Sequence, residues 1–336
     1  MIEATFPLFG VTFVVLIVLP GFALLAKLGL VLLERDEAGG PLRGLTLRYV
    51  LLTGSSVLPI AWLLSAGLHQ AETGTSGLAC LFDDATSELC FEPGFFALVL
   101  ALTILASSIR VILRHREGAP VASNDALLGR LARIISSDPM LTGLRDRVVV
   151  TDRNGFALGT HGLLKPRVFV GITFAAQLSD EMLASALGHE AEHVRALDPL
   201  RYLLIHLALS MNPFGRFLLE PHAARWQAAR EAHCDREAVI LGAAPLPLAE
   251  AIVRAARPAR EIVALGAPDT EVLKFRIGML LAFSERAPAR GHRGPSTFPV
   301  ALGLLLIVLL LPHHSGTDAL DVLHTSAEHA LIYFWR

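Results

Sequence analysis

The chain has 336 residues, 53% of them hydrophobic and 18% charged, and a formal net charge of −2. A near-neutral balance offers no basic surface, so no nucleic-acid partner is expected. Three cysteines do not make a disulfide scaffold, and a mean hydropathy of +0.53 points to a membrane protein rather than an ordinary soluble domain.

Taken in order, Phe6 to Leu33 is nearly all apolar and long enough to span a bilayer, with Pro20-Gly21 as a kink. Its N-terminal flank carries Glu3 and no base, which reads as a retained anchor rather than a signal peptide. Arg35, Arg43 and Arg48 follow, then a second apolar run from Tyr49 to Leu68. The loop from His69 to Pro93 is acidic, with no Lys or Arg, and a third run covers Gly94 to Leu113. Basic loops inside and acidic loops outside place the N-terminus out and the region after Arg116 in. Cys80 and Cys90 share the outer loop and can close a small disulfide hairpin.

From residue 117 to 297 the composition is that of a separate folded domain. Asp125 to Ser137 predicts a helix with Leu127, Leu128, Leu131, Ile134 and Ile135 on one side. Arg147 to Thr151, Gly155 to Gly159 and Arg167 to Val170 predict three short strands. Ser179 is a candidate N-cap for a helix whose first turn holds Asp180 and Glu181. Tyr202 to Leu219 is apolar but interrupted by His206, Asn212 and Pro213, which predicts a buried or interfacial helix broken at Asn212-Pro213. Ala223 to Leu241, Leu246 to Arg257 and Asp269 to Phe283 read as helices. Phe298 to Leu311 is a short fourth span, and the tail from Asp318 ends in Tyr333-Phe334-Trp335, which suits a membrane–water interface.

The chemistry concentrates at His189-Glu190-Ala191-Glu192-His193. Two histidines four apart share one helix face and can grip one Zn²⁺. Glu190, next round the helix, can take a proton from a water that the metal activates, as in H-E-x-x-H peptidases. A catalytic site needs a third protein ligand, and Glu231 is the candidate. Asp235, one turn on, can accept a hydrogen bond from the far nitrogen of a ligand histidine and fix its tautomer. Cys234 reads as a small buried apolar residue rather than a fourth ligand. Tyr202, His222, His233 and Arg236 are all candidates to stabilise an oxyanion, and the spacing does not choose among them.

Gly162-Leu163-Leu164-Lys165-Pro166-Arg167-Val168-Phe169-Val170, Leu178 to Leu183, HEAEHVRALD at 189–198, Asn212-Pro213 and Glu231 to Asp235 together resemble the BlaR/MecR-type membrane metallopeptidases (metallopeptidase family fifty-six). More distantly the chain resembles the HtpX and CAAX-prenyl-protease type, through Asn154-Gly155-Phe156-Ala157-Leu158-Gly159. The resemblance covers about residues 145 to 280 and does not include the C-terminal penicillin-binding sensor domain of the BlaR/MecR transducers, so β-lactam sensing is not expected. It implies one Zn²⁺ per chain and a role for Asp198 in supporting a metal ligand without touching the metal; by itself, that residue also simply ends the helix before Pro199. It further implies regulated cleavage of a cytosolic or membrane protein, such as a transcriptional repressor. An edge strand beside the motif helix would bind an extended substrate by adding it as another strand; Phe156, Ala157, Leu158 and Gly159 are the candidate stretch, and a plain structural hairpin is the alternative.

The expected architecture is a multi-pass α-helical membrane protein carrying an α+β zincin-like (gluzincin) protease domain, mostly helical with a small sheet. Residues 1–116 form its membrane domain, with spans at 6–33, 49–68 and 94–113; 117–297 form the cytosolic zinc metalloprotease domain; 298–312 form the fourth span; and 313–336 form an external amphipathic tail. The expected location is a bacterial inner (cell) membrane, with the protease domain cytoplasmic and both termini external. Expected partners are a protein or peptide substrate and membrane lipid, with a second copy of the chain as a further candidate. Two alternatives stand beside the signalling protease: an HtpX-like quality-control protease, and a non-catalytic membrane sensor or scaffold built on a protease fold.

Overall fold

The computed structural model describes residues 17–35, 44–73, 122–153, 155–262 and 269–285, together with residues 42, 106 and 109. The described residues are mostly helical, with one small sheet. Helix α1 (Leu19–Arg35) buries Leu19, Ala23, Ala26 and Leu30, which recur at three- and four-residue spacing and so line one face. Helix α2 (Leu45–Thr73) follows. Helix α3 (Asp125–Ser137) is capped by Asn124, whose side chain accepts from Leu127 N at 2.9 Å, and it turns Leu127, Leu131, Ile134 and Ile135 inward. A 3₁₀ turn (Pro139–Leu144) leads into the sheet of β1 (Val148–Thr151), β2 (Leu158–His161) and β3 (Arg167–Gly171).

The strand order is β1-β3-β2, with β1 parallel and β2 antiparallel to β3. Among the described residues β2 has no strand on its outer side, whereas Val150 of β1 accepts from Ala122 N. Phe156 and Ala157 precede the strand that the sequence placed at 155–159. Gly155 turns there with φ +75°, and Ala157 O accepts from Gly171 N at 2.8 Å before the ladder begins. A Cβ on Gly171 would meet Phe156 O at 2.0 Å, so only glycine allows that crossing.

After the short α4 (Ile172–Ala176) comes α5 (Asp180–Ala196), capped by Ser179 and carrying Asp180 and Glu181 in its first turn. It ends on Leu197 at φ 55°, ψ 42°, the only non-glycine residue with positive φ among those described. Helix α6 (Asp198–Met211) starts at once, breaks at Asn212-Pro213, and gives way to α7 (Gly215–Leu241). Helices α8 (Pro245–Ile262) and α9 (Asp269–Glu285) complete the set. One core joins α3, the sheet and α5. A second joins α1 and α2 to α6 and α7 through Leu30, Leu52, Ile205, Leu219 and Trp226. A third lies between α7, α8 and α9.

This arrangement corrects the expected multi-pass membrane fold. No helix among the described residues is long and apolar enough to cross a membrane. Helix α1 has 17 residues, about 25 Å at 1.5 Å per residue, against a hydrocarbon core of about 30 Å. Helix α2 carries buried Arg48, Thr53, Ser55 and Ser56, and Ser56 Oγ donates to Ala208 O of α6 at 2.6 Å. Of the described apolar residues in 6–33 and 49–68, Ala23, Ala26, Leu30, Tyr49 and Leu52 pack helix on helix, while Leu24, Leu25, Leu28 and Leu32 stay exposed. The inner-membrane location, with a cytoplasmic protease domain and external termini, rested on those spans and is corrected with them. The expected spans at 94–113 (all but residues 106 and 109) and 298–312, the tail 313–336, and Cys80 and Cys90 lie outside the described residues.

Trp226 is the joint between α2 and α7. It is 2% exposed, its indole N–H donates to Leu45 O at 2.9 Å, and its ring packs against Tyr49 and Tyr202. Trp226→Ala is expected to lower unfolding stability by about 3–5 kcal/mol in urea titrations. A loss below 1 kcal/mol would mean that α1 and α2 are not held by this contact.

Candidate metal centre

Helix periodicity sets the site. His189, Glu190 and His193 lie well inside α5, and all three are buried. The His189 and His193 rings meet edge to face, centroids 4.8 Å apart, with Nε2 to Nε2 at 3.0 Å. Helix α7 crosses them and brings Glu231, whose Oε2 is 3.4 Å from His189 Nε2 and whose Oε1 is 3.4 Å from His193 Nε2. Ligand atoms about 2.0–2.1 Å from a tetrahedral zinc stand about 3.3–3.4 Å from one another. The three donors therefore already have nearly the spacing that zinc requires.

Each imidazole is backed by a carboxylate on its far side. Asp198 Oδ2 lies 2.7 Å from His193 Nδ1. Asp235 Oδ1 lies 2.8 Å from His189 Nδ1, off the line of the N–H, so it acts there as a charge more than as an aligned acceptor. Both carboxylates favour the proton on Nδ1 and leave the lone pair on Nε2. Without a metal, a proton on one Nε2 can be donated to the other across 3.0 Å; with both protons on Nδ1, the two lone pairs face one point, where a cation would be held. The residues present fit a zinc ion, with His189, His193 and Glu231 as its ligands.

The Asp198 carboxylate reaches His193 because of the α5–α6 corner. Leu197 takes the left-handed conformation, which costs an ordinary side chain about 1–2 kcal/mol, and the next residue folds back over the last turn of α5. Arg230 Nε holds Asp198 Oδ2 at 2.7 Å, and Arg201 approaches Oδ1 at 3.4 Å. From α9, Arg276 grips Asp235 with two bonds of 2.6 and 2.9 Å and reaches Glu231 Oε2 at 3.2 Å. His193, Asp198 and Cys234 form a second close group. It shares His193, and Arg230 already claims Asp198, so this group forms a wall of the first site.

The candidate oxyanion groups separate. The Tyr202 hydroxyl lies 3.4 Å from Glu231 Oε1, at the site. His222 instead pairs with Glu34 of α1 at 2.9 Å, beside Arg225. His233 is pushed down to about 4 by burial and by Arg230, Arg236 and Arg195. Arg236 is exposed. On the sheet side, Leu158 and Gly159 lie in β2, and Thr160, which the sequence did not single out, donates to Glu190 Oε2 at 2.6 Å. Arg276 was likewise missed. The available signal was its place in α9, in line with Val272 and Leu280, where a charge interrupts an inward stripe. Comparison with known protein families, curated proteins and solved structures finds no match for this chain.

The charges are strongly coupled. Burial opposes charging of His189, but Asp235 and Glu231 outweigh it and raise its pKa. Burial likewise opposes charging of His193, and Cys234, Glu231 and Asp198 raise it well above the usual 6.5. Glu231 is held well below the usual 4.5, against burial, by the two imidazoles; Asp198 and Asp235 are lowered in the same way by their histidine and arginine partners. Groups raised by folding stabilise fully below their unfolded value and lose that contribution as pH rises through the folded value. Lowered groups do the reverse. Metal-free protein is therefore expected to be most stable between pH 4.5 and 6.5. Its melting temperature should fall as pH rises above 6.5, and one equivalent of Zn²⁺ should abolish that fall by holding both imidazoles neutral. A flat alkaline profile without metal would contradict the coupling. Arg276→Met should cost about 3–5 kcal/mol of stability by taking the guanidinium partner from the buried Asp235 carboxylate, and Arg276→Met/Asp235→Leu should recover part of it in the same urea assay.

Proposed function

We propose that this protein is a zinc-dependent endopeptidase. The observation that carries the reading is the convergence of His189, His193 and Glu231 at 3.0–3.4 Å with Glu190 beside them on the same helix. Zinc held by His189, His193 and Glu231 would supply Lewis acidity, lowering the pKa of a water toward neutrality and polarising a carbonyl. Glu190 takes the proton from that water as its oxygen bonds to the scissile carbonyl carbon. When the C–N bond breaks, Glu190 passes the same proton to the leaving amine, so the residue ends as it began. The Tyr202 hydroxyl, 3.4 Å from Glu231 Oε1, is the donor this reading assigns to the oxyanion, a role worth about 3–4 kcal/mol for a single donor in comparable sites. Asp198 and Asp235 hold the imidazoles in the tautomer that ligation needs, and Arg230 and Arg276 neutralise those carboxylates.

The open side of β2 supports an extended polypeptide as substrate. A peptide could add there as a strand, on the side of β2 where no other strand lies among the described residues, and run alongside the helix that carries Glu190. The resemblance to BlaR/MecR-type enzymes agrees with a protein substrate cut at few sites.

The test uses the purified chain, its zinc content by mass spectrometry, and fluorescein-labelled casein as an unfolded probe. Native protein is expected to hold one Zn²⁺ per chain and to release fluorescent peptides, and a chelator should stop it. His189→Ala and Glu231→Ala should lose the metal and the activity together. Glu190→Gln should keep the metal and lose activity by at least about 100-fold, the scale of a general base. Native cleavage by Glu190→Gln would refute the mechanism. Full zinc content in Glu231→Ala would remove Glu231 from the ligand set.

A further inference from the structure

The hydroxyl of Thr160 reaches across from the sheet to the carboxylate of Glu190. We infer that Thr160 is the positioning residue for Glu190, and that it ties the general base to the strand that receives the substrate. The inference rests on the peptidase reading and names the residue that holds its base.

Alternation along β2 sets the direction. Leu158 packs with the core shared by the sheet and α5, so Thr160, two residues on, faces the same way. Gly159 and His161 face the other way, where His161 packs against Phe156 and Phe169. Thr160 pairs in register with Val168, which is fully buried, so its backbone is fixed by the ladder. A β-branched side chain has few rotamers, and the hydroxyl is therefore held by the strand rather than by chance.

At 2.6 Å the contact is at the short end of the range for an O–H···O hydrogen bond. It engages Oε2 and leaves Oε1 without a hydrogen-bond partner among the described residues, ready for the water's proton. A glutamate has three side-chain torsions, and without an anchor its carboxylate would sample several positions. Because Thr160 lies on the strand with the open edge, a peptide that pairs with β2 sits one strand spacing, about 5 Å, from the residue that aims the base. Seating the substrate and orienting the base thus depend on the same segment of backbone. A purely structural role, as a polar link between sheet and helix, predicts something different: lost stability with unchanged chemistry per zinc-loaded molecule.

The experiment compares native protein with Thr160→Val, Thr160→Ala, Thr160→Ser and Glu190→Gln, each loaded with zinc and assayed on one quenched-fluorescent peptide taken from a casein cleavage site. A second readout is the carboxyl ¹³C resonance of Glu190 in metal-free, substrate-free protein, identified as the signal absent from Glu190→Gln. Thr160→Val and Thr160→Ala are expected to keep zinc and KM near native, to lower kcat about 10- to 100-fold, and to move the Glu190 resonance. Thr160→Ser is expected to restore kcat and the native resonance. If the native protein does not cleave, or Glu190→Gln cleaves as well as native, the peptidase reading fails and this inference fails with it. If cleavage depends on Glu190 but Thr160→Val and Thr160→Ala keep native kcat, or leave the resonance in place, only the inference about Thr160 is overturned.

Discussion

Two imidazole lone pairs pointed at one spot in a buried space form the constraint on which the rest of this structure turns. They oblige the protein to keep a negative group opposite them, which is Glu231, and to keep protons on the far nitrogens, which is the work of Asp198 and Asp235. Three carboxylates in so small a volume would repel one another, so Arg230, Arg201 and Arg276 surround them. The contact between α5 and α7 is thus a packed array of alternating charges, unlike the leucine and alanine contacts elsewhere in the molecule. Such an array is costly to desolvate and stable only when complete.

That requirement explains why the helices sit where they do. Arg276 must come from α9, and α9 is held against α7 and α8 by Leu280, Leu248 and Val239. On the opposite flank, Tyr49 and Trp226 carry the packing from α2 through to Tyr202, whose hydroxyl ends at Glu231. Helices α1 and α2 therefore support one wall of the site. They bury their small and apolar faces against α6 and α7, and Asn212 Nδ2 closes the seam by donating to Leu19 O at 2.7 Å.

Much of the centre was legible because its logic is local. The i, i+4 spacing of His189 and His193, the Ser179 cap, the break at Asn212-Pro213 and the i, i+4 spacing of Glu231 and Asp235 all follow from helix geometry. The split of the two aspartates was not legible. Asp235 faces His189 and Asp198 faces His193, a choice made by the crossing of α5 and α7. Thr160 is invisible for the same reason, since it meets the site only through tertiary structure; Arg276 shows in sequence only as a charge interrupting the inward stripe of α9, with nothing there to name its partners. Hydropathy misled at 6–33 and 49–68 because an apolar run states only that it leaves water. It does not say whether lipid or another helix receives it, and buried Thr53, Ser55 and Ser56 show that for α2 the answer is protein.

The order of these parts along the chain has a consequence during synthesis. The strand with Thr160 and the helix with the histidine pair leave the ribosome first. The Asp198 brace follows within one turn, while Glu231 and then Arg276 arrive only after further helices have been made. A nascent chain therefore holds a two-histidine half-site with its base in place but without the third ligand, and such a half-site binds zinc weakly. On the zinc reading, metal capture would wait until α7 has docked and α9 has neutralised its carboxylates. On the peptidase reading, the chain becomes competent to cut only when the fold around the site is finished, so the late position of Glu231 shields the growing polypeptide and its neighbours from premature cleavage.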